Sequence, residues 1–562
     1  LPRRMLMKRI LFFLTIFILL SCSDNQSQTN LDEIVKKANA PLLEGLGNHS
    51  FKISSNIKGT QEYFDQGLIM TFAFNHAESV RSFKAAQRLD PNCAICFWGE
   101  ALALGPNINV TSDGKAVMSP KNRRDALKAL KIAESLKESA SAIEKDFIEA
   151  LKPRYNGNPE TPRVDLDLNY AQSMEYLYKK YPNNTDAASL YAEALMITMP
   201  WNYWAEDGNP KPDTVKVIST LERVLELDEN HPLAIHLYIH AVEASSDPGR
   251  AESAADRLGK LVPGAGHLVH MPSHIYWRVG RYKDASLANI KAAKVDEDYI
   301  AQCNAQGFYP ALYYPHNIHF LWAASTMEGK SALSIESALK VSSYVSEDQI
   351  RSVPFLEFFH TPPLLSYVRF GKWQEILDYE KPIEDFKYSQ SIYNYAKAIA
   401  YAATGDIEKA KQHQKLITLH IDTIEVEAMV KAGHPTKQLI EIANKLALGS
   451  ISQYQNDYSS AINHLEKAVI IQDQLPYTEP PFWYYPTRQT LGHVLIKSEK
   501  FNEAIKTLKK DLIDYPNNGW SYYGLHKAYE GIGDTSNSQK SLKMFEKLWQ
   551  ESDIKVSSSV VY

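Results

Sequence analysis

The sequence predicts an all-α fold, a right-handed α-solenoid of helical hairpins, and three observations predict it. Long segments carry the 3.6-residue apolar periodicity of helices, broken by Gly, Asn-Pro or Asp-Pro, and no alternating strand pattern recurs. Hairpin-like units follow one another, with Ala504 and Ser538 standing 34 residues apart in equivalent places. Small residues recur where one helix must approach another, as at Gly280, Gly329, Gly492 and Gly533. A single hairpin cannot bury its own apolar face, so stacking has to continue the core.

The chain opens on Arg3, Arg4, Lys8 and Arg9, followed by an apolar run from Ile10 to Leu20 interrupted only by Thr15. Eleven residues are too few to cross about 30 Å of hydrocarbon as a helix, and they suit the core of a signal peptide. The run ends in Leu19-Leu20-Ser21-Cys22, which resembles a bacterial lipobox. That resemblance implies cleavage before Cys22, a diacylglycerol on its sulfur, and a lipid-anchored place in the cell envelope. Residues 1–22 are then a lipoprotein signal peptide, and residues 23–50 a polar tether (SDNQSQTN) and lead-in. A plain secretory signal with a chance cysteine is the competing reading.

Residues 51–345 and 346–562 are expected to be two stretches of the same stack, the first carrying a histidine-lined concave groove and the second capping it. Ser79, Phe83, Ala86 and Pro91 begin the pattern, and Gly249 with Ala254, Gly280 with Ala285, and Gly329 with Ser334 continue it. Leu491, Gly492, Ala504, Leu508 and Pro516, then Leu525, Tyr529, Gly533, Ser538 and Leu542, give it most clearly. These residues resemble the tetratricopeptide repeat over most of residues 60–550. Around Gly371, Gly405 and Gly449 the fit is weaker, and insertions fall at Pro106–Asn122 and Pro200–Pro212. The stretches DPNCAICFWGEALALGPNIN, GHLVHMPSHIYWRVGRYKDA (with HLVHMPSHIY), YYPHNIHFLW and PPFWYYPTRQTLG are similar to a subfamily of bacterial tetratricopeptide lipoproteins. That resemblance implies fold and export, and no reaction.

A formal net charge of −5 gives no basic footprint, which argues against nucleic acid as a partner. Apart from Cys22 the cysteines are Cys93, Cys96 and Cys303. Export permits a Cys93–Cys96 disulfide, and no strand-then-helix context supports a redox role for C-A-I-C. Cys303 is either a nucleophile near His316 or a buried thiol, the latter being the simpler reading.

Nine of the 17 histidines lie between His231 and His360. His236, His267 and His316 each stand 13 residues before a turn glycine, Gly249, Gly280 and Gly329. If those glycines are equivalent, the three imidazoles occupy the same place on three successive helices and point into one groove. His270 and His274 in the second unit and His319 in the third extend the set, while His240 falls one step off the groove line. His236 and His240 are spaced i, i+4 with Glu243 three residues on, a spacing that lets one helix present several donors to one cation. Imidazole suits Zn, Cu, Fe or Ni, and Glu243 adds a hard ligand or, outside the first coordination sphere, a catalytic general base.

Simpler readings stand beside these. His231 and His76 read as hydrogen-bonded core residues, and His360 as an inward-packed one. Pro272 interrupts HLVHMPSH, so a helix beginning there would leave His267 and His270 in a loop. Trp201, Tyr203, Trp204, Tyr276, Trp277, Tyr309, Tyr313, Tyr314 and Trp322 suggest an aromatic-walled pocket with the P-W-N-Y-W stretch as its cap, or interhelical filler, which suits Trp322 best. Two functions compete: a metal-binding lipoprotein, enzymatic or not, whose groove holds Zn, Cu or Fe, and a non-enzymatic scaffold whose groove binds a peptide or partner protein. A glycan-capturing lipoprotein is a weaker third. The histidine register predicts about one equivalent of bound metal, lost in His236→Ala and in His316→Ala; elemental analysis of the purified chain measures it.

Overall fold

Phe83 illustrates how the hairpins are held together. It lies on helix His76–Leu89, is fully buried, and sits between Gly67 on the preceding helix Thr60–Phe72 and Gly99 on the following helix Ala94–Ala103. A Cβ at Gly67 or Gly99 would run into the Phe83 ring. Near the other end of the chain Leu508, on helix Phe501–Asp514, sits in the same way between Gly492 and Gly524. Leu465 presses on Gly449. Each glycine is 16 residues from its large partner in sequence, so one bulky side chain of a second helix keys into the first helices on both sides. This is how stacked helical hairpins share a core, and close packing of this kind tolerates little change of volume.

This computed structural model describes residues 31–561 apart from Asp113, Pro159, Glu206 and Gln306. The signal peptide expected at residues 1–22 and the lipid attachment expected at Cys22 lie outside the described residues. Among the described residues the regular structure is helical except for the two-residue strands Thr111–Ser112 and Lys115–Ala116. No described helix is long and apolar enough to cross a membrane. The all-α class expected from periodicity is therefore observed. Helix starts carry the caps that their sequences encode: Ser119 before Pro120, Ser141 with Glu144 as a capping box, Ser346 with Gln349 as another, and Asp457, Asn518 and Asp534. The turn glycines Gly280, Gly329, Gly371, Gly405 and Gly533 have φ between 65° and 91°, the left-handed region that ends a helix without steric cost.

The described chain forms two compact units. The first takes residues 31–110, 116–198 and 231–233, the second residues 111–115, 199–230 and 234–561. In the first unit the Cys93–Cys96 disulfide forms, with Cα atoms 5.4 Å apart, at the start of helix Ala94–Ala103. His76 is a core histidine as expected: its Nδ1 lies 3.1 Å from the Gly105 carbonyl, and burial pushes the imidazole down to about 4. His231 is also buried, its Nε2 3.3 Å from Asp186 Oδ1, which His49 Nε2 meets at 2.9 Å.

In the second unit the last hairpins return onto the turns of earlier ones. Asn517 donates to the Val279 carbonyl, Trp520 to Thr326, and Trp549 to Met327. The segment around Tyr477 reaches Glu243 in the same unit.

The keying of Phe83 makes a quantitative statement. Phe83→Ala should destabilise the first unit by about 3–5 kcal/mol, because a fully buried ring is replaced by a cavity. Gly99→Ala should also destabilise, and the two losses should be less than additive, since the truncated ring no longer meets the new methyl. Thermal and denaturant unfolding of the two single variants and the double variant measure both expectations.

Candidate metal centre

Three helical segments of the second unit carry the histidines. Helix Pro232–Val242 presents His236 and His240, and Glu243 follows its last residue; positions i, i+4 and i+7 share one face. Helix Gly266–His270 carries His267 and His270. Helix Pro272–Arg278 carries His274. Met271 between them keeps helical dihedrals (φ −50°, ψ −37°), so the backbone runs on past Pro272 with only a local break. His267 and His270 are thus helical, not loop residues. Helix Tyr314–Met327 supplies His316.

The equivalence assumed from the 13-residue spacing holds for two of the three histidines. His267 and His316 each stand 11 residues before the end of their helical runs, at Arg278 and Met327, while His236 stands six before Val242. Gly249 lies beyond an inserted turn, in the 3-10 segment Pro248–Ala251, and not at the tip of a two-helix turn. The trio His236, His267 and His316 accordingly does not converge: no set of donor atoms within 4.8 Å of one another contains all three, among the described residues. Two all-histidine triples do meet that distance, His236 with His240 and His267, and His270 with His274 and His316. His240, which the groove line placed aside, belongs to the first because it stands one turn from His236 on the same face.

The hydrogen bonds assign protons to the rings. Glu243 Oε1 lies 2.8 Å from His240 Nδ1, and Glu243 Oε2 lies 2.6 Å from His274 Nδ1. A carboxylate only accepts, so both Nδ1 atoms donate, and in a neutral ring Nε2 is then the atom with the lone pair. Asn289 Nδ2 donates to the Ala285 carbonyl at 2.8 Å, which turns Asn289 Oδ1 towards His270 Nδ1 at 2.6 Å. His270 Nδ1 therefore donates as well. His270 Nε2 and His274 Nε2 then face each other at 2.8 Å, with a proton or another cation needed between them. In the other triple His236 Nε2 and His267 Nε2 are 3.2 Å apart. Two imidazoles on one tetrahedral ion with bonds of about 2.05 Å have nitrogens about 3.3 Å apart. The His236–His267 pair is close to that separation, whereas the His270–His274 pair is shorter, at hydrogen-bond distance.

Burial controls the charges. Glu243 is fully buried, which opposes its ionisation, yet the imidazoles of His274 and His240 outweigh burial and hold its carboxyl well below the usual carboxylate range. Burial, reinforced by the neighbouring imidazoles, keeps His267, His270 and His316 well below the ordinary histidine value. Burial also lowers His240, against the opposing pull of Glu243. Neutral imidazole is the form that binds a cation. Only His316 among the six is partly exposed to solvent.

Aromatic side chains wall the rings. Trp201 lies edge-on to His240 at 5.1 Å, Tyr313 to His267 at 4.7 Å, and Phe320 is 5.3 Å from both His270 and His274. The P-W-N-Y-W stretch is tied down by Trp204, which donates to the Ala241 carbonyl at 2.9 Å. Trp322 is interhelical packing, its Nε1 donating to Ser366 Oγ.

Several contributors carry no local sequence signal. Arg278 donates to the backbone carbonyls of Glu243 and Ser245. Tyr477 lies 3.2 Å from Glu243 Oε2 and 2.7 Å from Glu479, whose carboxyl burial pushes well above its ordinary range. Tyr309 accepts the His267 amide and donates to Asp296 Oδ1; burial raises Asp296 to about 7 against hydrogen bonds from Tyr309 and Asn317. Asp296 fits only because residue 266 is glycine: a Cβ there would overlap its carboxylate.

The remaining candidates fall elsewhere. His319 points away from the donor sets, into the rings of Trp322, Phe358 and Phe359 at 5.0–5.4 Å. His360 meets the Val345 carbonyl through Nε2 at 2.7 Å. Cys303 is half-buried at the end of helix Tyr282–Cys303 and belongs to none of the donor sets.

No family model matches the chain, and no curated protein matches it. Solved structures that share its helical class include a human IFIT1 dimer with PPP-AAAA, at 14% identity over 88% of this chain and 91% of that one with a TM-score of 0.31. Yeast Tom70 aligns at 12% identity over 89% and 90% of the two chains, with a TM-score of 0.28. The TPR domain of P58(IPK) aligns at 12% identity over 88% and 99%, with a TM-score of 0.23. Likenesses this distant carry no functional assignment.

The contact between Gly266 and Asp296 yields an expected outcome. Gly266→Ala should expel the Asp296 carboxylate from its place, release Tyr309 and lower the melting temperature, whereas Asp296→Asn, which keeps the shape, should cost far less. Thermal unfolding of the two variants compares them.

Proposed function

We propose that this protein is an exported, lipid-anchored helical-repeat protein that binds a transition metal through the buried histidines of its second unit. The observation that carries the reading is the facing pair His270 Nε2 and His274 Nε2, 2.8 Å apart, with both Nδ1 protons committed to Asn289 and Glu243. Two lone pairs at that distance repel unless a cation lies between them, a proton or a metal ion. Carboxylate and amide groups that hold the far nitrogen of a metal-binding histidine are the usual outer support of such sites. The donors are imidazoles, which favours Zn, Cu, Fe or Ni over Mg or Ca.

In this reading Glu243, offered by the sequence as a ligand or a general base, acts as the positioner of two ligands. Both its oxygens already accept imidazole protons, and a base held so far below neutral pH abstracts protons poorly. An ion with three imidazoles and one open position supplies Lewis acidity and can activate bound water. The lipid anchor rests on the Leu-Leu-Ser-Cys sequence at residues 19–22. Mass spectrometry of the mature N-terminus should find acylated Cys22, and an unmodified N-terminus would remove the anchor.

The chain, stripped with chelator and reloaded with Zn(II) or Cu(II), should retain metal through desalting. Glu243→Gln should stay folded and bind about 10–100-fold more weakly, because it misorients His240 and His274. No retained metal in the wild type after loading with either ion would overturn the reading.

A further inference from the structure

We infer that the histidine cluster holds two ions side by side, one in each triple, with Glu243 as their shared support. The inference rests on the metal-binding reading above and goes beyond the single ion that the sequence register suggests. Six imidazoles exceed what one first-row cation at a tetrahedral protein site takes up. They divide cleanly: within each triple every member offers a nitrogen less than 4.8 Å from the others, and no such set of nitrogens mixes the triples. A third set, His240 with Glu243 and His274, spans the divide through the carboxylate. Its contacts are the two Nδ1–carboxylate hydrogen bonds at 2.8 and 2.6 Å, which describe an outer bridge between two centres.

The two triples adjoin. Across the divide the ring centroids of His240 and His274 are 5.6 Å apart, and those of His267 and His270 are 5.8 Å apart, within the 4.8–6.3 Å range spanned by the ring pairs inside the triples. Paired ions in two-metal sites stand roughly 3.5–4 Å apart and share a bridging ligand. Three nitrogens on each side leave each ion an open position for such a ligand. The donor sets contain imidazole alone, so the pair suits copper or zinc, copper standing highest in the affinity order of divalent ions. A small oxygen-donor molecule is the class of ligand that two such open positions call for, and His316 is the one ring of the six that is partly exposed.

The test uses the full chain, stripped and reloaded with Cu(II). His236→Ala removes a ligand from one triple and His316→Ala from the other. The double variant sets the background, including any ion at the separate His49, Asp186 and His231 cluster. Wild type should exceed the double variant by two equivalents, and each single variant should exceed it by one. Two coupled Cu(II) ions should give a spin-resonance signal far below two spins per chain, and each single variant should recover a full one-spin signal. This spectroscopic readout on wild type needs no variant to fold. An excess of one equivalent with a one-spin signal would overturn the pair and leave the metal-binding reading standing. No excess at all would overturn both.

Discussion

Glu243 is the point on which the architecture of the second unit turns. A fully buried carboxylate must be compensated, and breaking a buried charged contact by removing one partner typically costs about 3–5 kcal/mol. Its two oxygens bind imidazoles from two different helical segments, His240 and His274, while Arg278 and Tyr477 converge on the same residue. The charge thereby fixes the rotation of helix Pro232–Val242 against helix Pro272–Arg278. It also decides which nitrogen of each ring bears the proton. Structure and chemistry share one constraint.

The hairpin stack supplies the rigidity that makes such a constraint useful. Where Phe83 and Leu508 key between glycines, neighbouring helices cannot slide by a fraction of a turn without a clash. At the centre itself Gly266 admits the Asp296 carboxylate, which orders Tyr309 and, through it, the backbone of His267. The imidazoles are held from behind by packing and hydrogen bonds, so little rearrangement accompanies a change at their inner edges.

The fold class and most of the donor residues were legible in the sequence because both depend on short-range spacing. Helical period, turn glycines and the i, i+4 relation of His236 and His240 are local properties. The grouping was not legible. It depends on Gly249 lying past an inserted turn, which shifts His236 relative to His267 and His316 by about half of their shared offset. His319 stands one helical step from His316, yet its ring packs on the Phe358 and Phe359 rings and not in the cluster. Asn289, Asp296, Arg278, Tyr477 and Glu479 stayed invisible, since their contribution comes from tertiary folding and no local pattern announces it.

The approach of Tyr477 to Glu243 spans 234 residues of chain. A ribosome has therefore made the whole imidazole set long before the wall that encloses it exists. Contacts of such sequence separation form late, after costly loop closure. On the metal-binding reading proposed above, a cation would reach the nitrogens during that interval, and completion of the last hairpins would enclose it. Selectivity would then be settled by the compartment where folding finishes, as much as by the donors themselves.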